Sequence, residues 1–216
     1  MSDMHKARQS KVKRIPERGV YDRETIYEIL DEGLVGHVGF VVDGRPYVMP
    51  MLYVRIGDTL CIHGSPASRM LRALASGIEA CVTVTLLDGL VLARSAFHHS
   101  ANYRSAVIFG TASRIDDPVQ KLETLRALSD HILRGRWEDV RPPSDEELMK
   151  TLVLGIAIDE ASAKIRTGPP LDEESDYDLA VWAGVLPIRV TTLPAIPDPR
   201  LPLKIPAPSY LVRNLP

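Results

Sequence analysis

Short strand-like segments joined by tight turns dominate the first 160 residues and constrain the fold more than any other feature of the chain. Six or seven apolar runs have β-strand composition, and they cover 35–42, 47–54, 59–63, 80–87, 90–95, 103–115 and 152–158. Gly57 between two such runs is typical of a hairpin turn. Helical patterns interrupt these strands instead of alternating with them. This predicts an α+β, mainly β protein, a barrel with peripheral helices, and excludes a doubly wound parallel sheet.

Four helices are predicted from capping residues and apolar spacing. The first begins at Asp22 and ends at Gly33, and the second begins at Ser65-Pro66 and ends at Gly77. The longest begins at 116–118 and ends at Gly135, and Ser144 opens a short helix with a capping box.

The chain divides into a basic arm (1–20), a body (21–190) and a proline-rich tail (191–216). The arm carries six Lys or Arg against Asp3 and Glu17. A solvated arm docked on the body is favoured over an anion-binding arm, because local charge runs are usually solvated faces. Eight prolines from Pro187 onward exclude helix and interior strand. Since the tail is too apolar for a free linker, we expect it to lie extended along the body or a partner subunit.

Composition and missing motifs exclude several classes of protein. A net charge of −2 argues against nucleic-acid binding. No apolar run could span a membrane, and the first residues hold no apolar signal segment. Cys61 and Cys81 lie in apolar runs with no CxxC pair, which predicts free thiols in a cytoplasmic protein. Rossmann, P-loop and GxSxG motifs are absent. The pair His98-His99 would point to opposite faces of a strand, so no metal site is predicted.

The segment from 61 to 69 is the most informative local feature. A predicted strand ends at His63 and a helix follows, and the first turn of a helix offers unpaired N–H groups with partial positive charge. Ser68 and Arg69 add a hydroxyl and a guanidinium at the same place. The pattern suits a phosphate cradle; a capped helix with a solvated arginine is the plain alternative.

Two further segments could face a ligand. Residues 94–105 interrupt two strands with polar and aromatic groups, and a polar strand connection is the alternative interpretation. Trp182 stands among small residues after an acidic loop. It could cover an aromatic ligand or simply be buried.

Four elements in fixed order carry a resemblance to a known family. They are Pro46–Val54, His63-Gly64 with Ser68-Arg69, Asn102–Gly110 and Trp182-Ala183-Gly184. Together they resemble the pyridoxamine 5′-phosphate oxidase-like flavin-binding split barrels, near the branch that contains nitroimidazole-resistance proteins. The resemblance spans roughly residues 20–190. It implies an FMN-binding split β-barrel with peripheral helices, a homodimer, and FMN bound at the subunit interface.

The resemblance also implies which residues bind the cofactor. A strand beside the flavin ring would contain Val48, Met49, Pro50 and Met51. The ribityl chain and phosphate would be held by His63, Gly64, Ser65, Ser68 and Arg69. The partner side or rim would add Tyr103, Arg104, Ser105 and Trp182. Met70 replaces the family's second basic residue at the helix start, so one charged partner of the phosphate is either missing or supplied by Arg104 or Lys164.

Three functions remain open at this stage. The first is an FMN-dependent oxidoreductase acting on a small organic molecule, with a nitroimidazole-type nitroreductase as one form of it. The substrate-binding arginine motif of the vitamin-forming oxidases is not recognisable, which argues against pyridoxal-phosphate synthesis. The second is a non-catalytic flavin- or haem-binding protein, with His63, His98 or His99 as the iron ligand. The third, nucleic-acid binding by the arm, is disfavoured by the low charge.

Overall fold

A computed structural model describes residues 9–202 and 205–212. Its strands are β1 (Gly19–Val20), β2 (Val35–Val42), β3 (Arg45–Leu52), β4 (Val54–Ile56), β5 (Thr59–Gly64), β6 (Glu79–Leu92), β7 (Ser100–Arg114), β8 (Leu152–Ala157), β9 (Glu160–Arg166) and β10 (Gly184–Pro187). The α-helices are α1 (Arg23–Glu32), α2 (Arg69–Ala75), α3 (Pro118–Ile132) and α4 (Asp145–Met149).

β7 organises the sheet, because it changes partner along its length. All strand pairs are antiparallel, and the main path runs β3-β2-β6-β7-β8-β5-β4. β7 pairs with β9 from Tyr103 to Phe109 and with β8 only from Ala112 onward. The sheet therefore divides near Gly110 and does not close, which gives an α+β split barrel. This confirms the fold class predicted from the sequence.

α1 fills the core of the barrel with the apolar stripe expected of it. Ile26, Ile29 and Leu30 are buried within the main cluster. The Asp22 carboxylate accepts a hydrogen bond from Thr25 N and caps the helix. At the other end, the Tyr53 hydroxyl donates to the Leu30 carbonyl at 2.7 Å. These contacts fix α1 at both ends.

α3 covers the outer side of β4 and β5 with a second, smaller core. Val54, Cys61 and Leu128 are its buried members. Burial raises the pKa of the Cys61 thiol to about 11. The thiol therefore stays protonated at neutral pH and acts as a small apolar side chain.

The described part of the arm lies against β9. Ser10 N donates to the Glu160 carboxylate at 3.2 Å, and Lys164 Nζ donates to the Arg14 carbonyl at 3.1 Å. Residues 1–8 lie outside the described residues. The docked arm favoured by the sequence thus applies to residues 9–18.

The tail is extended, as its prolines require. Residues 188–202 hold no helix or strand, and the side chains of Val190, Leu193 and Ile196 are 85%, 82% and 93% exposed. Tyr210 does contact the body, where its hydroxyl donates to Asp139 Oδ2 at 2.6 Å. Residues 203–204 and 213–216 lie outside the described residues. Packing of the tail along a partner stays a prediction.

Three local expectations differ from the structure. α2 begins at Arg69 with Ser68 as its cap; Ser65 instead closes a turn, where its carbonyl accepts from Ser68 N at 2.9 Å. The runs 80–87 and 90–95 form one strand, β6, with a bulge between Leu87 and Gly89. β10 was not expected; it adds to β6 from Gly89 to Leu92.

Candidate functional site

The turn between β5 and α2 leaves several donors without acceptors. The amides of Arg69 and Met70 donate to no described residue, since the first bond of the helix runs from Arg72 N to the Ser68 carbonyl. The Ser68 hydroxyl accepts weakly from Leu71 N at 3.4 Å and keeps its own proton free to donate. A Cβ at Gly64 would lie 2.9 Å from Leu71 Cδ1. The turn is therefore tight, polar and rich in donors.

Arg69 links this turn to β3. Its guanidinium lies 4.9 Å from the centre of the Tyr47 ring, which itself stacks on Phe40. Within the described part of the chain, no carboxylate pairs with Arg69. An unpaired cation beside free amides suits a phosphate group. The sequence indicated Arg69 but missed Tyr47, for which only its place in the Pro46–Val54 run was a signal.

β3 is an apolar edge without a cover. Among the described residues it pairs only with β2, and Val48 and Met49 are 64% and 46% exposed although they point to opposite faces. Pro50 and Pro46 have no N–H to offer, as is usual on edge strands. Met51 is only partly buried, so the implied ring-binding run Val48–Met51 is accessible along its length.

His63 stands apart from the donors of the turn. Strand alternation places its side chain on the Cys61 face of β5, opposite the buried Ile62. Its Nδ1 atom is buried and has no hydrogen-bond partner. Burial lowers the pKa of His63, so the imidazole is neutral at pH 7. A buried nitrogen without a partner is a cost that a ligand could remove.

Arg104 is already neutralised. It donates to both oxygens of Glu32 and to both oxygens of Asp88. The hydrogen bonds to Glu32 and then Asp88 raise its pKa. In this structure Arg104 locks α1 to the bulge of β6 and is not available as the missing phosphate partner.

Lys164 is also distant from Arg69 within one chain. The strand register places Lys164 opposite Ser105 of β7. Tyr47, which contacts Arg69, is opposite Phe40; Phe40 is opposite Ala80, and Ala80 is opposite Gly110 of β7. Because Ser105 and Gly110 are five residues apart, about 17 Å along the strand direction separates Lys164 from Tyr47. Tyr103 and Ser105 share the face of Lys164, and Ser105 Oγ lies 2.9 Å from Thr85 Oγ1. One subunit thus presents two separate groups of the predicted residues.

Trp182 belongs to neither group. It is 69% exposed, and its ring covers Gly184, where a Cβ would lie 3.0 Å from the indole. It lies just before β10, and its place at the rim of a flavin site stays a prediction.

Asp172 organises the loops near Trp182, and sequence analysis missed it. Its carboxylate accepts from Arg94 N at 2.9 Å, Ser95 N at 3.3 Å and the Arg94 guanidinium at 3.1 Å. The side chain is fully buried by solvent accessibility. Desolvation raises its pKa, but the bonds from Ser95 and Arg94 outweigh it, so the net shift is downward. In the sequence Asp172 stands out only as one member of the acidic loop before Trp182.

The histidines of the adjacent pair have separate partners. His99 Nδ1 accepts a hydrogen bond from Ala93 N at 3.0 Å, so the neutral ring carries its proton on Nε2. His98 Nε2 lies 3.7 Å from the Glu173 carboxylate. Among residues 9–202 and 205–212, no three His, Cys, Asp or Glu side chains form a group able to hold a metal ion. No helix in this part of the chain is long and apolar enough to cross a membrane.

The family assignment follows from sequence and fold together. The profile of the pyridoxamine 5′-phosphate oxidase family matches residues 22–165, and the chain belongs to this family. This confirms the resemblance inferred from the ordered motifs. No curated protein matches the sequence.

Solved structures extend the similarity over almost the whole chain. The flavocytochrome Anf3 from Azotobacter vinelandii is 44% identical, with 95% of each chain covered and a TM-score of 0.90. The FAD and haem binding protein from Mycobacterium smegmatis is 39% identical over 90% of this chain and 95% of that one, with a TM-score of 0.86. A protein assigned to 5-nitroimidazole antibiotic resistance, from Bacteroides thetaiotaomicron, is 25% identical over 68% and 86%, with a TM-score of 0.56.

Proposed function

We propose that this protein binds a flavin nucleotide and serves as a flavin-dependent oxidoreductase for a small molecule. The observation that carries the proposal is the donor-rich turn at Ser65, Ser68 and Arg69, which lies against an accessible apolar strand. A bound flavin would supply the redox chemistry. The chain would hold the phosphate at the turn and the ring beside Val48–Met51.

The turn suits the phosphate of either FMN or FAD. The ordered motifs imply FMN, whereas one similar protein is described as binding FAD and haem. FMN carries one phosphate and the turn forms one phosphate cradle, so FMN is our first expectation and FAD is the alternative. The mass of the flavin released from purified protein distinguishes them.

The flavin site would lie between two subunits of a homodimer. The outer face of β2 and β3 exposes apolar side chains in adjacent register, including Val35 opposite Leu52 and Val41 opposite Pro46. Covering this face would remove apolar surface from water. Since the implied partners Lys164 and Tyr103 lie far from Arg69 in one chain, a second subunit could bring them close. Free Cys61 and Cys81 suit a reducing cytoplasm.

Substitution of Arg69 tests the cradle, and Arg72 on the same helix provides a matched control. Loss of a charge-assisted hydrogen bond is worth about 1.5–3 kcal/mol, so Arg69→Ala should weaken flavin binding roughly 10- to 100-fold. Arg72→Ala should bind as the parent does. Fluorescence titration of flavin-depleted protein with FMN and FAD measures both. Equal affinity of the Arg69 variant and the parent would remove the cradle assignment.

Haem is a second candidate cofactor, favoured by the unpartnered His63. Proximal histidine is a common ligand of haem iron. His99 fits poorly because its Nε2 carries the proton, while His63 forms no hydrogen bond with the described residues. Growth with a haem precursor followed by absorption spectra tests this: His63→Ala should lose the haem band, and His99→Ala should keep it. A haem band unchanged in the His63 variant would contradict the assignment.

A further inference from the structure

Arg166, at the end of β9, is a buried cation without an anion. Only 6% of the residue is exposed. Its guanidinium donates to neutral acceptors alone: the Asn102 side-chain oxygen, the Gly168 carbonyl at 3.4 Å and the Pro169 carbonyl at 3.1 Å. Its Nε has no hydrogen-bond partner in residues 9–202 and 205–212. Arginine is seldom buried unless a charged group compensates it.

Two further cations stand beside it. Lys164 is two residues earlier on the same face of β9, and its ammonium is exposed, with one bond to the Arg14 carbonyl. Arg18 ends the short helix that leads into β1, where Gly19 pairs with Lys164. Burial first, and the Arg18 charge second, lower the pKa of Arg166. Throughout the described residues, no carboxylate pairs with Arg18, Lys164 or Arg166.

Two hydroxyl side chains share this face, of which Ser105 already donates to the Val84 carbonyl at 3.2 Å. Tyr103 lies opposite Arg166, and Ser105 lies opposite Lys164. Both are partly exposed. Three cations without an acidic partner repel one another, and a bound oxyanion would offset that repulsion. This surface therefore attracts oxyanions.

We propose that the face formed by Arg18, Tyr103, Ser105, Lys164 and Arg166, here called the β9 patch, binds a phosphate-bearing ligand. Lys164 and Arg18 would contact the phosphate, and the buried Arg166 would add charge from behind. The β9 patch is about 17 Å along the strands from Arg69. Within one chain it is therefore a second anion site, and it does not depend on whether the cradle holds flavin.

The direct test is binding of inorganic pyrophosphate by the full-length protein. Isothermal titration should give a saturable site that remains in Arg69→Ala protein, and thermal unfolding should shift upward with pyrophosphate. Lys164→Gln combined with Arg18→Gln should weaken this binding at least 10-fold. Lys150→Gln combined with Arg141→Gln removes two exposed cations beside α4 that already pair with carboxylates; it is the charge-matched control and should bind as the parent does.

A variant at Arg166 separates charge from folding. Arg166→Met removes the buried charge but leaves the Asn102 side-chain oxygen and the Pro169 carbonyl without this donor, so it could unfold the end of β9. If it folds, as judged by circular dichroism, pyrophosphate binding should weaken about 10-fold or more. If the Arg166 variant does not fold, the Lys164 and Arg18 double variant still tests the proposal, because both of its positions are accessible.

Flavin loading identifies the source of the phosphate. If the ligand is the flavin itself, the double variant should lose FMN or FAD affinity while riboflavin affinity is unchanged. If it is a separate phosphorylated molecule, flavin content should be unchanged while pyrophosphate binding is lost. Either result supports the site. Pyrophosphate binding that is absent, or equal in the double variant and the parent, would overturn it, whatever the outcome at Arg69.

Discussion

At the scale of single residues, charge compensation separates structural groups from groups available to ligands. Arg104 faces two carboxylates, and Asp172 is surrounded by donors. Arg69 and Arg166 have no carboxylate in the described part of the chain. The sequence places its arginines in similar polar settings, and only the structure separates them by their partners. A cation without an acidic partner is the simplest sign of an anion site.

Tyr53 provides a stability test of one buried hydrogen bond. Tyr53→Phe leaves the Leu30 carbonyl at the end of α1 without its donor, which should lower the free energy of unfolding by about 1–2 kcal/mol. Tyr177→Phe is the control, since that hydroxyl makes no hydrogen bond with the described residues. Chemical denaturation measures both variants. A Tyr53 variant as stable as the control would show that the carbonyl finds water instead.

Asp172 gives a pH dependence with a defined sign. Its folded pKa lies below the unfolded value of about 3.9, so its contribution to stability is present above that pH and is lost as pH falls through the folded pKa. The stability difference between parent and Asp172→Asn should therefore be largest near pH 6 and shrink toward pH 3. Urea unfolding at several pH values measures it. A difference independent of pH would contradict this role.

At the scale of elements, the sequence predicts those features that depend on neighbouring residues, such as helix caps. The Asp22 cap and the capping box at Ser144 both form as expected. β10 depends on pairing with β6 between residues about 95 positions apart, which no local pattern encodes, and the bulge of β6 depends on its register with β7. Likewise, the start of α2 moved from Ser65 to Ser68 because both are good caps and packing chose between them.

The end of α1 offers a packing test at this scale. A Cβ at Gly33 would lie 2.4 Å from Val84 Cγ1 and 2.7 Å from the Tyr53 hydroxyl. Gly33→Ala should therefore destabilise the fold by about 1–3 kcal/mol through overpacking. At Gly39 the nearest atom would be 3.4 Å away, so Gly39→Ala is the matched control. Similar unfolding midpoints for the two variants would show that the barrel can adjust around α1.

At the scale of the whole molecule, three features of a single chain would each be explained by contact with a second copy. β3 is an apolar edge, the tail holds its apolar residues in solvent, and the two groups of implied cofactor residues are far apart. A two-fold dimer would resolve all three at once. Neither the sequence nor a single chain defines that interface, because it depends on surfaces and not on strand patterns.

Charge placed on β3 tests the dimer. Val48→Glu would bury a carboxylate if the edge is covered, so the variant should shift to monomer at micromolar concentration. Val119→Glu on α3 is the control, since that valine is equally exposed on another surface. Sedimentation velocity gives the masses. A Val48 variant that remains as dimeric as the control would place the interface elsewhere.

The most direct measurement is the visible spectrum of the purified full-length protein, with the released chromophore identified by mass. We predict flavin absorbance and one flavin per chain, with the flavin content reduced in Arg69→Ala protein and kept in Arg72→Ala protein. Colourless protein that takes up neither FMN nor FAD when they are added would contradict the central claim.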